Sequence, residues 1–212
     1  MRKGVIMYII LISGFSTSGK DSLGSVFCNN YGFSRFAFAD TLKEFVSEKY
    51  KCDLSILNSQ SGKGLICTET GTTWRSILIE ESKLYRNTCP TFYAEDCADK
   101  IEDHCILNTV TATHNIVITD WRYPNELYTL RKRFPCATII PVKITCKYHH
   151  DISPVDDASE YSLVKCTDEI EYEFIKDTEL QDCVAFAETV IQSIGIGQSS
   201  IPFGIKTNNL NC

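Results

Sequence analysis

Residues 8–22 read YIILISGFSTSGKDS, a run of apolar β-formers that enters a loop bounded by Gly14 and Gly19 and closed by Lys20. The spacing of Gly14, four residues, Gly19 and Lys20 lets the main chain curl around an anion. Several N–H groups then point at phosphate oxygens, and the dipole of the following helix adds positive field. The junction implies a nucleoside triphosphate site built from Gly14, Ser16, Thr17, Ser18, Gly19, Lys20, Asp21 and Ser22, with the Lys20 ammonium on the β- and γ-phosphates. Asp21 stands where such a loop ordinarily carries a hydroxyl residue, and Ser22 follows it. A carboxylate meets polyphosphate only across a cation, so Asp21 is expected to face Mg²⁺, with Ser22 on a phosphate oxygen or in the metal's shell. A chance glycine-rich turn would account for the loop alone, but not for the apolar strand before it and the helical pattern after it.

Around this loop, 212 residues with 43% hydrophobic content suit one sizeable domain with its own core. A formal net charge of −6 opposes extended nucleic-acid binding, which needs a basic face. Any anion bound here must meet local positive charge. The 11 cysteines include no C-x-x-C pair, which removes zinc-ribbon spacing, and their placement among apolar residues suits free thiols in a reducing compartment, the cytoplasm. The opening MRKGVIMYIIL resembles the basic and apolar parts of a signal peptide. It runs straight into the phosphate loop, however, and is too short to span a bilayer, so it reads as the first buried strand and no membrane partner is expected.

Periodicity places a strand at 8–13, a helix at 19–30, a short strand at 33–38 and a helix opening at 39–44, where Asp40 or Thr41 can serve as N-cap. Residues 58–73 read as a mobile loop on their glycines, serines and threonines. An amphipathic helix at 74–85 uses Trp74, Ile77, Leu78, Leu84 and Tyr85 and carries Arg75 and Arg86 near its ends; another covers 91–108. Then come a strand at 115–120 ending in Asp120, a helix at 125–134, a strand at 137–144, a polar segment at 149–162, a strand at 171–175 and a closing helix at 180–194. Strands alternating with helices imply a parallel sheet covered on both faces, which binds ligands at the carboxyl ends of its strands. Both chemistry-bearing strand ends, 14–22 and 120–122, therefore fall on one edge.

With GFSTSGKDS at 14–22, FADTLKE at 38–44 and ITDWRYPNE at 118–126, the chain resembles the deoxynucleoside monophosphate kinases of bacteriophages and large DNA viruses. The shared features are the Lys-Asp-Ser loop ending, a Leu-Lys pair after the second strand, Asp-x-Arg-x-x-x-Glu as Asp120, Arg122 and Glu126, and an Ala-Ser-Glu segment within 156–163. Animal phosphomevalonate kinases resemble it through the same loop, the Leu-Lys pair, Asp-x-Arg and the Val155–Ala158 segment. The resemblance implies an α/β, three-layer P-loop NTPase fold over residues 1–194, with an acceptor-binding helical arm at about 42–108, a lid at about 147–162 and a disordered tail at 195–212. It implies transfer of a phosphoryl group from ATP, with Mg²⁺, to a deoxynucleoside monophosphate, in the host's cytoplasm if the source is viral. Phosphomevalonate as acceptor and a non-catalytic nucleotide-binding module are the alternatives. Small-molecule nucleotides are then the partners, without nucleic acid, and a homodimer is compatible.

On this footing Lys20, Asp120 and Arg122 are the expected catalytic residues. Asp120 holds Mg²⁺ or its waters, or else caps the next helix. Arg122 forks onto the acceptor phosphate or the transferring group, or else pairs with Glu126 four residues on. Arg75, Arg86 and Lys43, the last beside Asp40, are candidates for the acceptor phosphate against the alternative of solvated helix faces. Lys176 and Thr178 are placed beside adenine. Lys143, Lys147, His149 and His150 stand where related lids carry arginines, and the adjacent histidines suit a solvated loop better than a metal site. Trp74, Phe92, Tyr93 and Trp121 suit the core better than a base-stacking role.

Overall fold

The computed structural model describes residues 6–16, 18–108, 113–146, 163, 169–176 and 180–196. Five parallel strands form one sheet in the order β2-β3-β1-β4-β5: β1 (Ile6–Ser13), β2 (Ser34–Phe36), β3 (Thr113–Trp121), β4 (Thr138–Cys146) and β5 (Tyr172–Lys176). Central β1 pairs in register with β3 through Ile9–Ile116 and Ile10–Val117, and with β4 through Ile10–Ile140. Its Ile9, Ile10, Leu11 and Ile12 are fully buried, because a parallel strand covered on both faces has no solvent side.

Alternate side chains divide the core in two. Ile9, Leu11, Ile116 and Ile118 face α2 (Asp40–Lys49), α5 (Trp74–Thr88), α6 (Phe92–Leu107) and α7 (Pro124–Arg133). Ile10, Ile12, Val117 and Val142 face α1 (Lys20–Tyr31) and α8 (Leu180–Ser193). This is an α/β, three-layer sheet with helices on both faces, and the phosphate-loop sequence joins its central strand to α1: a P-loop NTPase fold. After β1 the chain crosses to the α1 face and after β3 to the α7 face, so the crevice between their carboxyl ends is a switch point.

Some expectations need correction. Residues 58–73 are not an unstructured loop. They follow α3 (Leu54–Asn58), form the four-residue α4 (Gln60–Lys63), and close a turn in which Ile66 bridges Thr73 and Cys67 N–H donates to the Thr72 carbonyl. Asp53 and Ser59 cap these two short helices by accepting from Ser55 and Gly62 N–H. The N-cap of α2 is Ala39, not Asp40 or Thr41, because the capping oxygens come from another part of the chain. Leu84 lies on the solvent side of α5, at 62% exposure, where it was expected in the apolar stripe. The lid at 147–162 and the tail from 197 lie outside the described residues.

Trp74, Tyr93 and Trp121 are buried core side chains, and the Trp121 indole donates to the Tyr123 carbonyl; Phe92 is partly exposed and stacks on Tyr85. Arg133 clamps α7 to α6 through Glu95, Asp99 and Glu102 at 2.6–2.9 Å. Cys28, Cys52, Cys67, Cys89, Cys97, Cys105 and Cys136 are thiols outside any disulfide.

α1 and β3 pack closely at their crossing. A Cβ at Gly24 would lie 2.4 Å from Thr119 Cγ2. Gly24→Ala is therefore expected to cost about 1–3 kcal/mol in denaturant unfolding, and adding Thr119→Ser, which removes that methyl, to recover most of it.

Candidate active site

The phosphate loop leaves β1 at Gly14, whose φ of +149° and surroundings exclude a side chain: a Cβ would sit 2.4 Å from the Ile144 carbonyl and 2.7 Å from Ser18 Oγ. A turn from the Ser18 N–H to the Phe15 carbonyl shapes the loop, and Gly19, at φ +98°, starts α1 in the left-handed region that only glycine adopts freely. Lys20 is 9% exposed, and its ammonium donates to the Gly14 and Phe15 carbonyls at 2.7 and 2.6 Å. Ser18 Oγ and Thr119 Oγ1 are buried without a hydrogen-bond partner among the described residues. A loop with no room for a side chain at Gly14, an orphaned hydroxyl at Ser18 and the Lys20 ammonium suits a polyphosphate. Asp21 and Ser22 follow on the first turn of α1, Asp21 exposed. Thr17 and Thr178 and the side chain of Lys176 lie outside the described residues.

Asp120 has a structural task that its sequence position does not reveal. Its Oδ1 accepts from Phe38 N–H at 2.8 Å and its Oδ2 from Ala39 N–H at 2.9 Å, which caps α2 from across the sheet edge. The capped helix is thus the one after β2, not the next one after β3, whose start is held by Glu126. Each oxygen keeps a second lone pair, so the carboxylate also suits the water shell of Mg²⁺.

Arg86 does not fit an acceptor-phosphate role. Its guanidinium bonds Glu126 Oε1 at 2.9 Å and lies 4.0 Å from the Tyr123 ring centroid and 5.0 Å from that of Tyr93. Glu126 is 1% exposed, and its Oε2 accepts from the Arg122 and Tyr123 N–H groups at the start of α7. Burial pushes the Glu126 carboxyl up to about 7 against the opposing pull of Arg86 and these donors. The charge of Arg86 is taken up in holding this carboxyl. Lys143, expected near the lid phosphates, lies in β4 and pairs with Glu173 at 2.8 Å.

The remaining cations come together. Lys43 Nζ lies 3.2 Å from Asp40 Oδ1, and Asp40 also takes Arg35. Arg75 donates to Gln60 Oε1 at 2.6 Å, which ties the start of α5 to α4. Lys63, the last residue of α4, is half-buried, and burial together with Lys43, Arg75 and Arg122, opposed by Asp21, lowers its ammonium to about 8. Five segments thus bring Lys43, Lys63, Arg75, Arg122 and Asp21 within electrostatic reach beside the phosphate loop. Lys63 is the residue that sequence reasoning missed. The Ser59 cap and Gly62, where a Cβ would meet the Ile56 carbonyl at 2.3 Å, are the available signals that its segment is folded.

No protein-family model matches the chain, and neither does any curated protein. Among solved structures it is similar to a dephospho-CoA kinase from Campylobacter jejuni, at 14% identity over 91% of this chain and 99% of that one, with a TM-score of 0.49. It is also similar to a shikimate kinase from Aquifex aeolicus, at 14% identity over 89% and 99% with a TM-score of 0.46, and to a gluconokinase from Sinorhizobium meliloti, at 13% over 90% and 97% with a TM-score of 0.37.

Two substitutions separate structural from ligand-facing roles. Asp120→Ala, which leaves two N–H groups without acceptors, should lower the unfolding free energy of the ligand-free protein by about 1–3 kcal/mol in a urea titration. Arg86→Ala strands a buried carboxylate and should cost about 3–5 kcal/mol at pH 8. Native Glu126 keeps its proton to higher pH than the unfolded chain does. Its contribution to stability is therefore full below about 4.5 and is lost as pH rises through about 7, so the cost of Arg86→Ala should shrink between pH 8 and pH 5.

Proposed function

We propose that the chain is a phosphotransferase that moves the γ-phosphoryl group of ATP, with Mg²⁺, onto the phosphate of a deoxynucleoside monophosphate. The observation that carries this reading is the convergence of Lys43, Lys63, Arg75 and Arg122 beside the phosphate loop of a protein whose net charge is −6. An alcohol acceptor needs a base to take its proton, whereas a phosphate acceptor arrives with an anionic nucleophilic oxygen and needs cations to bring it near another polyanion. This cluster supplies cations.

The residues divide the work by position. The loop amides and Lys20 hold the donor's β- and γ-phosphates, and the dipole of α1 adds to their field. Asp21 and Ser22, with Asp120 through water, would hold Mg²⁺, which neutralises charge between the terminal phosphates. Arg122 follows β3 at the switch-point crevice, between donor loop and acceptor cluster, and its planar fork suits the equatorial oxygens of the transferring group. Lys43, Arg75 and Arg122 orient the acceptor phosphate. The deoxynucleoside part of the acceptor rests on the resemblance of the loop, the Leu-Lys pair and the Asp-x-Arg segment.

ADP release with Mg²⁺–ATP and dAMP, dCMP, dGMP, dTMP, phosphomevalonate, shikimate or gluconate decides among acceptors. Turnover with at least one deoxynucleoside monophosphate is expected. Turnover with phosphomevalonate alone would move the acceptor to the alternative, and ATP binding without turnover would make the chain a binding module. Lys20→Ala should cut turnover roughly 100-fold or more. Its unfolding free energy should fall by only a few kcal/mol, about 1–3 per lost charged hydrogen bond.

A further inference from the structure

We propose that Glu126 is a positioning residue for Arg122: its buried carboxylate, held by Arg86, fixes the main chain from which the Arg122 side chain reaches the transferring phosphoryl group. The inference rests on the phosphotransferase reading and adds to it a pair of residues that act through a third.

Arg122 lies in the passage from β3 to α7, and that passage is held at successive steps. The buried Trp121 indole donates to the Tyr123 carbonyl at 2.9 Å. Pro124 opens α7 and confines the residue before it to extended backbone, which Tyr123 adopts at φ −127° and ψ 143°. The Arg122 and Tyr123 N–H groups donate to one oxygen, Glu126 Oε2, at 2.9 and 3.0 Å. The other oxygen, Oε1, accepts from Arg86 at 2.9 Å. That guanidinium is itself placed, with its central carbon 4.0 Å from the Tyr123 ring centroid and 5.0 Å from that of Tyr93.

Helix capping alone does not account for this arrangement. Tyr123 is the N-cap of α7 and Glu126 stands at its N3 position, so the bond from the Tyr123 N–H is an ordinary cap, one that glutamine makes as well. The bond from the Arg122 N–H reaches one residue further back, outside the helix. A carboxylate that is 1% exposed also loses its hydration, a penalty offset only by well-made bonds at both oxygens. An ionised carboxylate accepts at both ends, whereas glutamine carries a donor at one and must give up either Arg86 or the two N–H groups. The chain thus buries a charge where a neutral cap would serve the helix, and what the charge adds is a fixed main chain at Arg122. Misplacing a group that acts on the transition state by about 1 Å costs on the order of 100-fold in rate.

The test is a double-mutant cycle on the whole chain, with Mg²⁺–ATP and the acceptor among dAMP, dCMP, dGMP and dTMP that gives turnover. Glu126→Gln, which keeps a cap for α7, should lower kcat about 10- to 100-fold and leave the KM for ATP within about 2-fold of wild type. In an Arg122→Ala background the same substitution should lower kcat by less than about 2-fold, because the side chain that it positions is gone. A carboxylate that served the fold alone would cost the same factor in both backgrounds, or nothing in either. Each of those results, with wild-type turnover intact, would overturn this inference and leave the phosphotransferase reading standing. Absence of wild-type turnover with every acceptor would overturn both. If Glu126→Gln fails to fold, Glu126→Asp, which keeps the charge and shortens its reach by one methylene, decides by the same cycle. A loss of kcat confined to the chain with native Arg122 supports the proposal, and equal factors in both backgrounds overturn it.

Discussion

One carboxylate joins the two halves of the site. Asp120 leaves the end of β3 and closes on the Phe38 and Ala39 N–H groups at the entry to α2. This pins the helix that carries Lys43 to the strand that leads to Arg122. Without it, α2 would begin with N–H groups lacking partners, since Ala39 offers no side-chain acceptor. Asp120 also stands at the switch point beside the phosphate loop, so the residue that fixes the entry to α2 shares its neighbourhood with that loop.

A second ionic group lies beneath. Glu126 satisfies the Arg122 and Tyr123 N–H groups at the opening of α7, and Arg86 neutralises it while packing between the Tyr93 and Tyr123 rings. Two arginines that look alike in sequence therefore do different things: Arg86 anchors the backbone of Arg122, and Arg75, held only by a neutral amide in its described contacts, keeps its full charge for the cluster. The two arginines thus differ by the charge of their partners more sharply than by position on the helix.

The sequence made the central strand, the phosphate loop and the α/β order legible because each is written contiguously: apolar runs of strand length, a glycine spacing, and helical repeats long enough to count. What it hid was non-local or too short. The partners of Asp120 lie 81 and 82 positions away. Four residues of α4 contain no repeat to read, so SQSGKG looked like loop and Lys63 went unnoticed, although Ser59 and Gly62 carry the cap and the close approach. Arg86 looked exposed on its helix because Glu126, which buries it, is 40 residues on. Leu84 fitted an apolar stripe in spacing but falls on the solvent side of α5 once Ile77, Glu81 and Trp74 set the inner face.

The ammonium of Lys20 answers the carbonyls of its own loop at Gly14 and Phe15. On the proposed reading an incoming polyphosphate competes with an internal ligand, and its affinity is the intrinsic affinity reduced by the fraction of molecules whose lysine turns outward. The same self-engagement holds the loop in shape between visits, so less chain entropy is lost when the donor arrives. For a phosphotransferase this would trade affinity for readiness: weaker capture, but a cradle that does not have to be rebuilt at each cycle.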